Sequence, residues 1–280
     1  MIGQTAKLVA TALQPEAMAQ RWPIPKPSDD KYGRGVVGID TGSPRYPGAG
    51  VLSTLGALRA GAGFVRYCGA DEAKTPLTAR CPSITFGRGR VNAWVLGCGW
   101  DDERMNVTRL AARLADDVPC VIDAGAMFVI DQALETLGRP SLPPECLLTP
   151  HAGELARLLG VERGDVEADP LEAAAQASVR YGAAVLVKGG TQYSVGGERT
   201  SGMIAYQAVQ GPPWSAQAGS GDVLAGVVGT LLASGCPAVL AGALAASLQA
   251  MTATAHPGPW APDQLANWFP DTVAAIATGQ

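Results

Sequence analysis

Short apolar runs alternate along the chain with longer stretches in which apolar residues recur every three or four positions. The runs GVVGI (35–39), FVRY (64–67), ITF (84–86), AWVLG (93–97), PCVID (119–123) and CLLT (146–149) have the length and density of buried strands. Between them, GAGVLSTLGALRAG (48–61), DDERMNVTRLAARLAD (101–116), MFVIDQALETLG (127–138) and GELARLLG (153–160) have the period of helices. This alternation predicts βαβ units, hence an α/β fold: a three-layer α/β/α domain around a mainly parallel sheet. AAVLVKGGTQYSVGG (183–197) and MIAYQAV (203–209) predict strands joined by Gly-containing turns, a small antiparallel section at the sheet edge. Two helices after Gly221 close the domain, and the tail from His256 is expected to be a loop and one last helix.

The N-terminal pattern differs. Residues 1–22 predict an amphipathic helix, and WPIPKPSDDKYGRG (22–35) reads as a Pro-rich connector whose rings fix an extended path. The expected division is therefore an N-terminal helix and connector over 1–30 and a single catalytic domain over 31–280.

With 47% hydrophobic residues in a chain of 280, a sizeable core is available. The net charge of −4, with Lys and Arg scattered, gives no footprint for nucleic acid or an anionic membrane, which leaves small-molecule chemistry. The six cysteines lie far apart without CxxC pairs, so free thiols and a cytoplasmic location are expected. The apolar stretch Val223–Leu232 is too short to span a bilayer, and no export signal is read at the N-terminus.

Candidate chemistry lies at the strand ends. In AGSGDVLAG (218–226), Gly219 and Gly221 permit positive φ, so that the amides of Gly219, Ser220 and Gly221 form an anion hole at a helix N-terminus. Asp222 stands in the first turn, where it either caps the helix or serves as a general base beside a bound phosphate. Gly42, Ser43, Gly48 and Ala49 follow a strand, as plain turn and helix-packing residues or as the wall of a ligand crevice. His151 and Glu154 begin the helix after CLLT, Lys188 ends a strand before Gly189 and Gly190, and Gly97 and Gly99 permit close approach of a ligand. Asp123 either orders its loop or meets Mg²⁺ through water. Trp94 and Trp100 flank the loop at 97–99, as packing residues or pocket walls. No metal-ligand set is assigned.

Taken in order, KYGRG, GSPRYPGAGVLSTLGALRAGAG, VLGCG, DAGAM, LLTPHAGELARLLG, VLVKGGT and GSGDVLAGVVGTLLASG resemble the NAD(P)H-hydrate dehydratase family of the ribokinase-like superfamily, over roughly residues 31–256. The resemblance implies an enzyme that returns NADHX or NADPHX to NADH or NADPH with a nucleotide as co-substrate, ADP giving AMP and phosphate, or ATP, with Mg²⁺ assisting. It places the hydrate at Ala49, Gly99, His151 and Asp222. The nucleotide falls at Lys188, Gly189, Gly190, Thr191, Gln192 and Gly221, and Asp222 becomes the base. It also implies a tetramer and a separate epimerase chain. A kinase of a small alcohol or vitamin precursor, and a non-catalytic nucleotide-binding homologue, are the alternatives. The family's Gly-Pro-Gly-Leu is GCGW here, its Asp-Ala-Asp-Ala-Leu is DAGAM with Gly125 for the second Asp, and its His-Lys-Tyr is DKY.

Overall fold

In the computed structural model, residues 8–101, 103–143, 145–198 and 202–279 are described. Ten strands occur in chain order: β1 (Thr11–Ala12), β2 (Val36–Asp40), β3 (Phe64–Tyr67), β4 (Thr85–Phe86), β5 (Ala93–Leu96), β6 (Cys120–Ile122), β7 (Leu147–Leu148), β8 (Ala184–Val187), β9 (Tyr193–Glu198) and β10 (Gly202–Gln207). The helices are α1 (Pro15–Met18), α2 (Pro47–Arg59), α3 (Lys74–Arg80), α4 (Glu103–Leu114), α5 (Ile130–Leu137), α6 (Ala152–Leu159), α7 (Arg163–Ala168), α8 (Pro170–Tyr181), α9 (Ser220–Ala233), α10 (Ala238–Ala255), α11 (Pro262–Leu265) and α12 (Phe269–Thr278). They surround one sheet of order β1-β10-β9-β8-β7-β6-β5-β2-β3-β4. Strands β4 to β8 and their neighbours β2 and β3 run parallel, while β9 is antiparallel to both β8 and β10, which is the expected edge.

The strands read as continuous apolar runs because both faces are covered. Alternate residues divide between two cores. Val37, Ile39, Val95, Val121, Leu147 and Leu186 face α2, α9, α10 and α12. Trp94, Leu96, Ile122, Leu148, Val185 and Val187 face α4, α5, α6 and α8. Small residues let helix backbones meet directly: a Cβ on Gly56 would lie 2.1 Å from the Val223 carbonyl oxygen, and one on Gly226 only 2.0 Å from that of Ser53. The near absence of charge in α9 follows, since Val223–Ala233 is buried without interruption. Helix α10 is long and apolar enough to cross a membrane, but 72% of it is buried inside the protein, the mark of a core helix.

Two stretches differ from the sequence pattern. The helix expected over 1–22 is replaced, in its described part, by β1, which pairs in parallel with β10, and by the four-residue α1; residues 1–7 lie outside the described residues. Pro15 at the start of α1 and the pairing of Thr11 with Tyr206 explain the change: an available sheet edge outcompetes a weak amphipathic period. The C-terminal tail holds two helices, α11 and α12, joined by a 3₁₀ turn at Ala266–Trp268.

Candidate active site

The carboxyl ends of the parallel strands carry the polar groups, as the topology of an open α/β sheet requires. After β6, Asp123 is almost fully buried and both its oxygens are engaged: Oδ1 accepts from Thr149 Oγ1 at 2.8 Å and from Lys188 Nζ at 2.9 Å, and Oδ2 faces Cys98 Sγ at 3.4 Å. Asp123 therefore orders the loops after β5, β7 and β8. Lys188 is a half-buried, paired ammonium and not a solvated edge-strand lysine; Glu154 Oε2 lies 3.9 Å from it. Burial alone would lower the Lys188 pKa, but the charges of Asp123 and Glu154 outweigh it and raise the value.

Asp222 occupies the first turn of α9 and makes no capping bond there. Burial and the nearby Asp123 charge, only partly offset by Lys188, push its carboxyl from 3.8 up to about 7. That places it at the point where a general base can both exist ionised and accept a proton. Gly219 takes the expected positive φ of 91°, but Gly221 is helical. Its small size serves another purpose: a Cβ there would stand 3.2 Å from Lys188 Nζ, so glycine admits the ammonium to the helix end. The Ser220 amide is not free for an anion, since it donates to the Gln217 carbonyl at 3.2 Å. Among the described residues the amides of Gly221 and Asp222 have no protein acceptor, and they form the open donor pair at the positive end of α9.

Two cavities flank this cluster. One, of 500 Å³, is lined by Lys188, Gly189, Gly190, Gln192, Ser220 and Gly221, with Val209, Pro212, Leu224 and Ala250 as apolar walls. Thr191 is not among its lining residues but accepts from Gln210 Nε2 at 3.1 Å. The second, of 860 Å³, is lined by Gly42, Ser43, Cys68, Asp71, Asn106 and Arg109 among others. In the strand order β8-β7-β6-β5-β2-β3, the Asp123–Asp222 cluster stands between them.

The remaining sequence candidates fall along the same edge. Ala49, in the first turn of α2, touches the β5 loop: a Cβ on Gly99 would lie 2.6 Å from Ala49 Cβ. The Gly42 amide donates to the Cys98 carbonyl at 2.7 Å, tying the loops after β2 and β5 together. His151 is exposed; its Nδ1 accepts from the Glu154 amide at 3.1 Å while Glu154 Oε2 accepts from the His151 amide, a capping box that starts α6. Its Nε2 lies 3.6 Å from Glu154 Oε2, and the side chain stays 61% exposed.

Sequence reasoning missed the support beneath the second cavity. Asp40, 1% exposed, accepts from Arg109 Nε at 2.9 Å and Arg113 Nε at 2.8 Å. Arg109 and Arg113 lie one turn apart on α4 and stack on Trp100 and Trp94, each 4.4 Å from the ring centroid. The tryptophans are thus packing residues. A carboxylate ending an apolar strand, with two arginines at i and i+4 on the next amphipathic helix, was the available signal. Gly125 meets the same packing: a Cβ there would lie 2.6 Å from the Trp100 carbonyl oxygen. The two departures GCGW and DAGAM are in contact with one another.

This three-layer sheet, with a glycine-led helix N-terminus and an acid at its first turn, has a ribokinase-like fold. Residues 37–259 match the NAD(P)H-hydrate dehydratase family, and the chain belongs to it. It is 40% identical over 225 residues to the bifunctional NAD(P)H-hydrate repair enzyme Nnr of Mycobacterium tuberculosis, covering 79% of this chain and 45% of that one. The chain thus spans about half the length of that relative. It is 35% identical over 214 residues to an ADP-dependent (S)-NAD(P)H-hydrate dehydratase of Neisseria meningitidis, covering 72% and 71% of the two chains. Among solved structures, the ADP/ATP-dependent NAD(P)H-hydrate dehydratase of Bacillus subtilis, co-crystallised with ATP and Mg²⁺, superposes with a TM-score of 0.81 at 20% identity, covering 96% of this chain and all of that one.

Proposed function

We propose that the protein dehydrates NADHX or NADPHX back to the reduced dinucleotide at the expense of ADP or ATP. The observation that carries this reading is Asp222: a carboxyl held at about 7, at the helix end that offers the unpaired Gly221 and Asp222 amides and whose Ser220 and Gly221 line the cavity at Lys188. The nucleotide occupies the cavity at Lys188, Gly189, Gly190 and Gln192, its terminal phosphate toward Gly221. The hydrate lies on the Ala49, Gly99 and His151 side.

Asp222 takes the proton of the hydrate's hydroxyl as that oxygen attacks the terminal phosphorus. The new oxygen–phosphorus bond forms while the bond to the departing nucleotide breaks. The helix amides and Lys188 hold the charge on the transferred group. Phosphate then leaves with the carbon–oxygen bond, and loss of a ring proton restores the double bond. The names of two relatives support ADP as the nucleotide, and transfer of its terminal phosphoryl group leaves AMP.

Mg²⁺, when bound, neutralises nucleotide phosphates. Among the described residues this cluster offers no cage for it: Asp123 is saturated, Cys98 is a soft ligand, and the Lys188 ammonium stands beside them. The ion is expected to arrive on the nucleotide. A cytoplasmic location and a homo-oligomer complete the proposal.

The test is product analysis by phosphorus NMR. Hydrate-dependent release of AMP and free phosphate from ADP is expected. A stable phosphorylated alcohol would establish the kinase instead, and nucleotide binding without turnover would establish a non-catalytic homologue.

A further inference from the structure

The loop after β5 carries a thiol into the centre of the site. Cys98 is fully buried between Gly97 and Gly99, whose φ values of 99° and 68° turn the chain back on itself. One ligand-type atom each from Cys98, Asp123 and Asp222 lies within 4.8 Å of the other two. The three come from the ends of β5, β6 and the start of α9, so the convergence is a product of the tertiary fold.

The groups facing Asp222 play different parts. Lys188, from the end of β8, attracts it through charge, and Asp123, from the end of β6, repels it. Glu154, from α6, meets this cluster through Lys188. Cys98 is a hydrogen-bond donor toward it. Burial and both carboxylates hold the thiol far above its ordinary pKa, so it keeps its proton throughout the working range. Asp123 does not depend on that proton, because Oδ1 already accepts from Thr149 and Lys188.

Resting on the reading of Asp222 as the base, we propose that Cys98 is a positioning residue whose thiol pivots between Asp123 and Asp222. When Asp222 holds the proton, the thiol donates to Asp123 Oδ2, the 3.4 Å contact seen here. When Asp222 ionises, the thiol turns to it and stabilises the carboxylate that must take the hydroxyl proton. One neutral donor thus serves two carboxylates that would otherwise oppose each other's ionisation.

Cys98→Ala and Cys98→Ser separate this role from space filling. The acid limb of the pH profile of kcat/KM is expected to move up by about 0.5–1 pH unit in Cys98→Ala, the scale of one modest hydrogen bond. Cys98→Ser, which keeps a donor, returns the limb to the wild-type position or below it. A thiol that merely fills space would lower the melting temperature, or the rate at every pH, without moving the limb. Infrared titration of the carboxyl band lost in Asp222→Asn makes the same comparison in substrate-free protein. A band that moves in Cys98→Ala, in a protein without hydrate turnover, would mean that the proposed reaction is wrong and the thiol's role is right. Superimposable titrations of wild type and Cys98→Ala would overturn the proposal.

Discussion

An ionised Asp222 is a liability to the folded chain, and replacing it by asparagine should stabilise the protein while disabling it. The carboxyl titrates at about 7 in the fold against 3.8 when exposed, because burial and Asp123 disfavour its charge. At about 1.4 kcal/mol per pH unit, the folded state is penalised by about 4 kcal/mol once the group is fully ionised. Part of the side chain keeps access to water, and screening brings the expected difference to about 2–4 kcal/mol. The sign follows from a raised acid pKa. Below about pH 4 both states hold the proton and there is no penalty; it grows from about pH 4 to about 7 and is constant above. Asp222→Asn should therefore melt close to wild type in acid and about 5 °C or more above it near pH 8, while turnover falls by on the order of 10²-fold or more and nucleotide affinity stays within a few-fold. Thermal unfolding of both proteins across this range is the assay. Equal melting near pH 8, or a gap widest in acid, would refute the burial argument.

Three further changes probe the surroundings. Lys188→Met removes the ammonium from Asp123 and from the nucleotide cavity; calorimetric titration should show ADP affinity reduced by about tenfold or more, with a stability loss of about 3 kcal/mol on urea unfolding. Gly226→Ala forces a Cβ to within 2.0 Å of the Ser53 carbonyl oxygen at the α2–α9 contact, and a loss of about 3 kcal/mol in denaturant unfolding is expected. Gly125→Asp, which restores the family's acid, must displace the Trp100 backbone; it should lower stability by about 1–3 kcal/mol and leave ADP affinity unchanged.

The layers and the parallel order were legible because strands buried on both faces and amphipathic helices carry different periods. The edge strand β1 was not: two residues, Thr11 and Ala12, have no periodicity, and their conformation is set by the partner Tyr206 nearly two hundred positions away. The glycine–serine–glycine–aspartate run marked the N-terminal end of α9 from sequence, yet the fold assigned its members differently. Gly219 alone takes a left-handed φ, Ser220 spends its amide on Gln217, and Gly221 makes room for Lys188. The pairing of Lys188 had no local signal, because its two carboxylate partners, Asp123 after β6 and Glu154 in α6, come from other parts of the chain. The Asp40–Arg109–Arg113 cluster escaped for the same reason: ion pairs between a strand and a helix some seventy residues on leave no local pattern.

The account stands on one claim, that this site restores reduced dinucleotide from its hydrate. The direct measurement follows the near-ultraviolet absorbance of the reduced nicotinamide ring after the protein, Mg²⁺ and ADP or ATP are added to prepared NADHX and NADPHX. A rise that needs both nucleotide and an intact Asp222 is the predicted result. A flat trace from folded protein that binds nucleotide would contradict the claim.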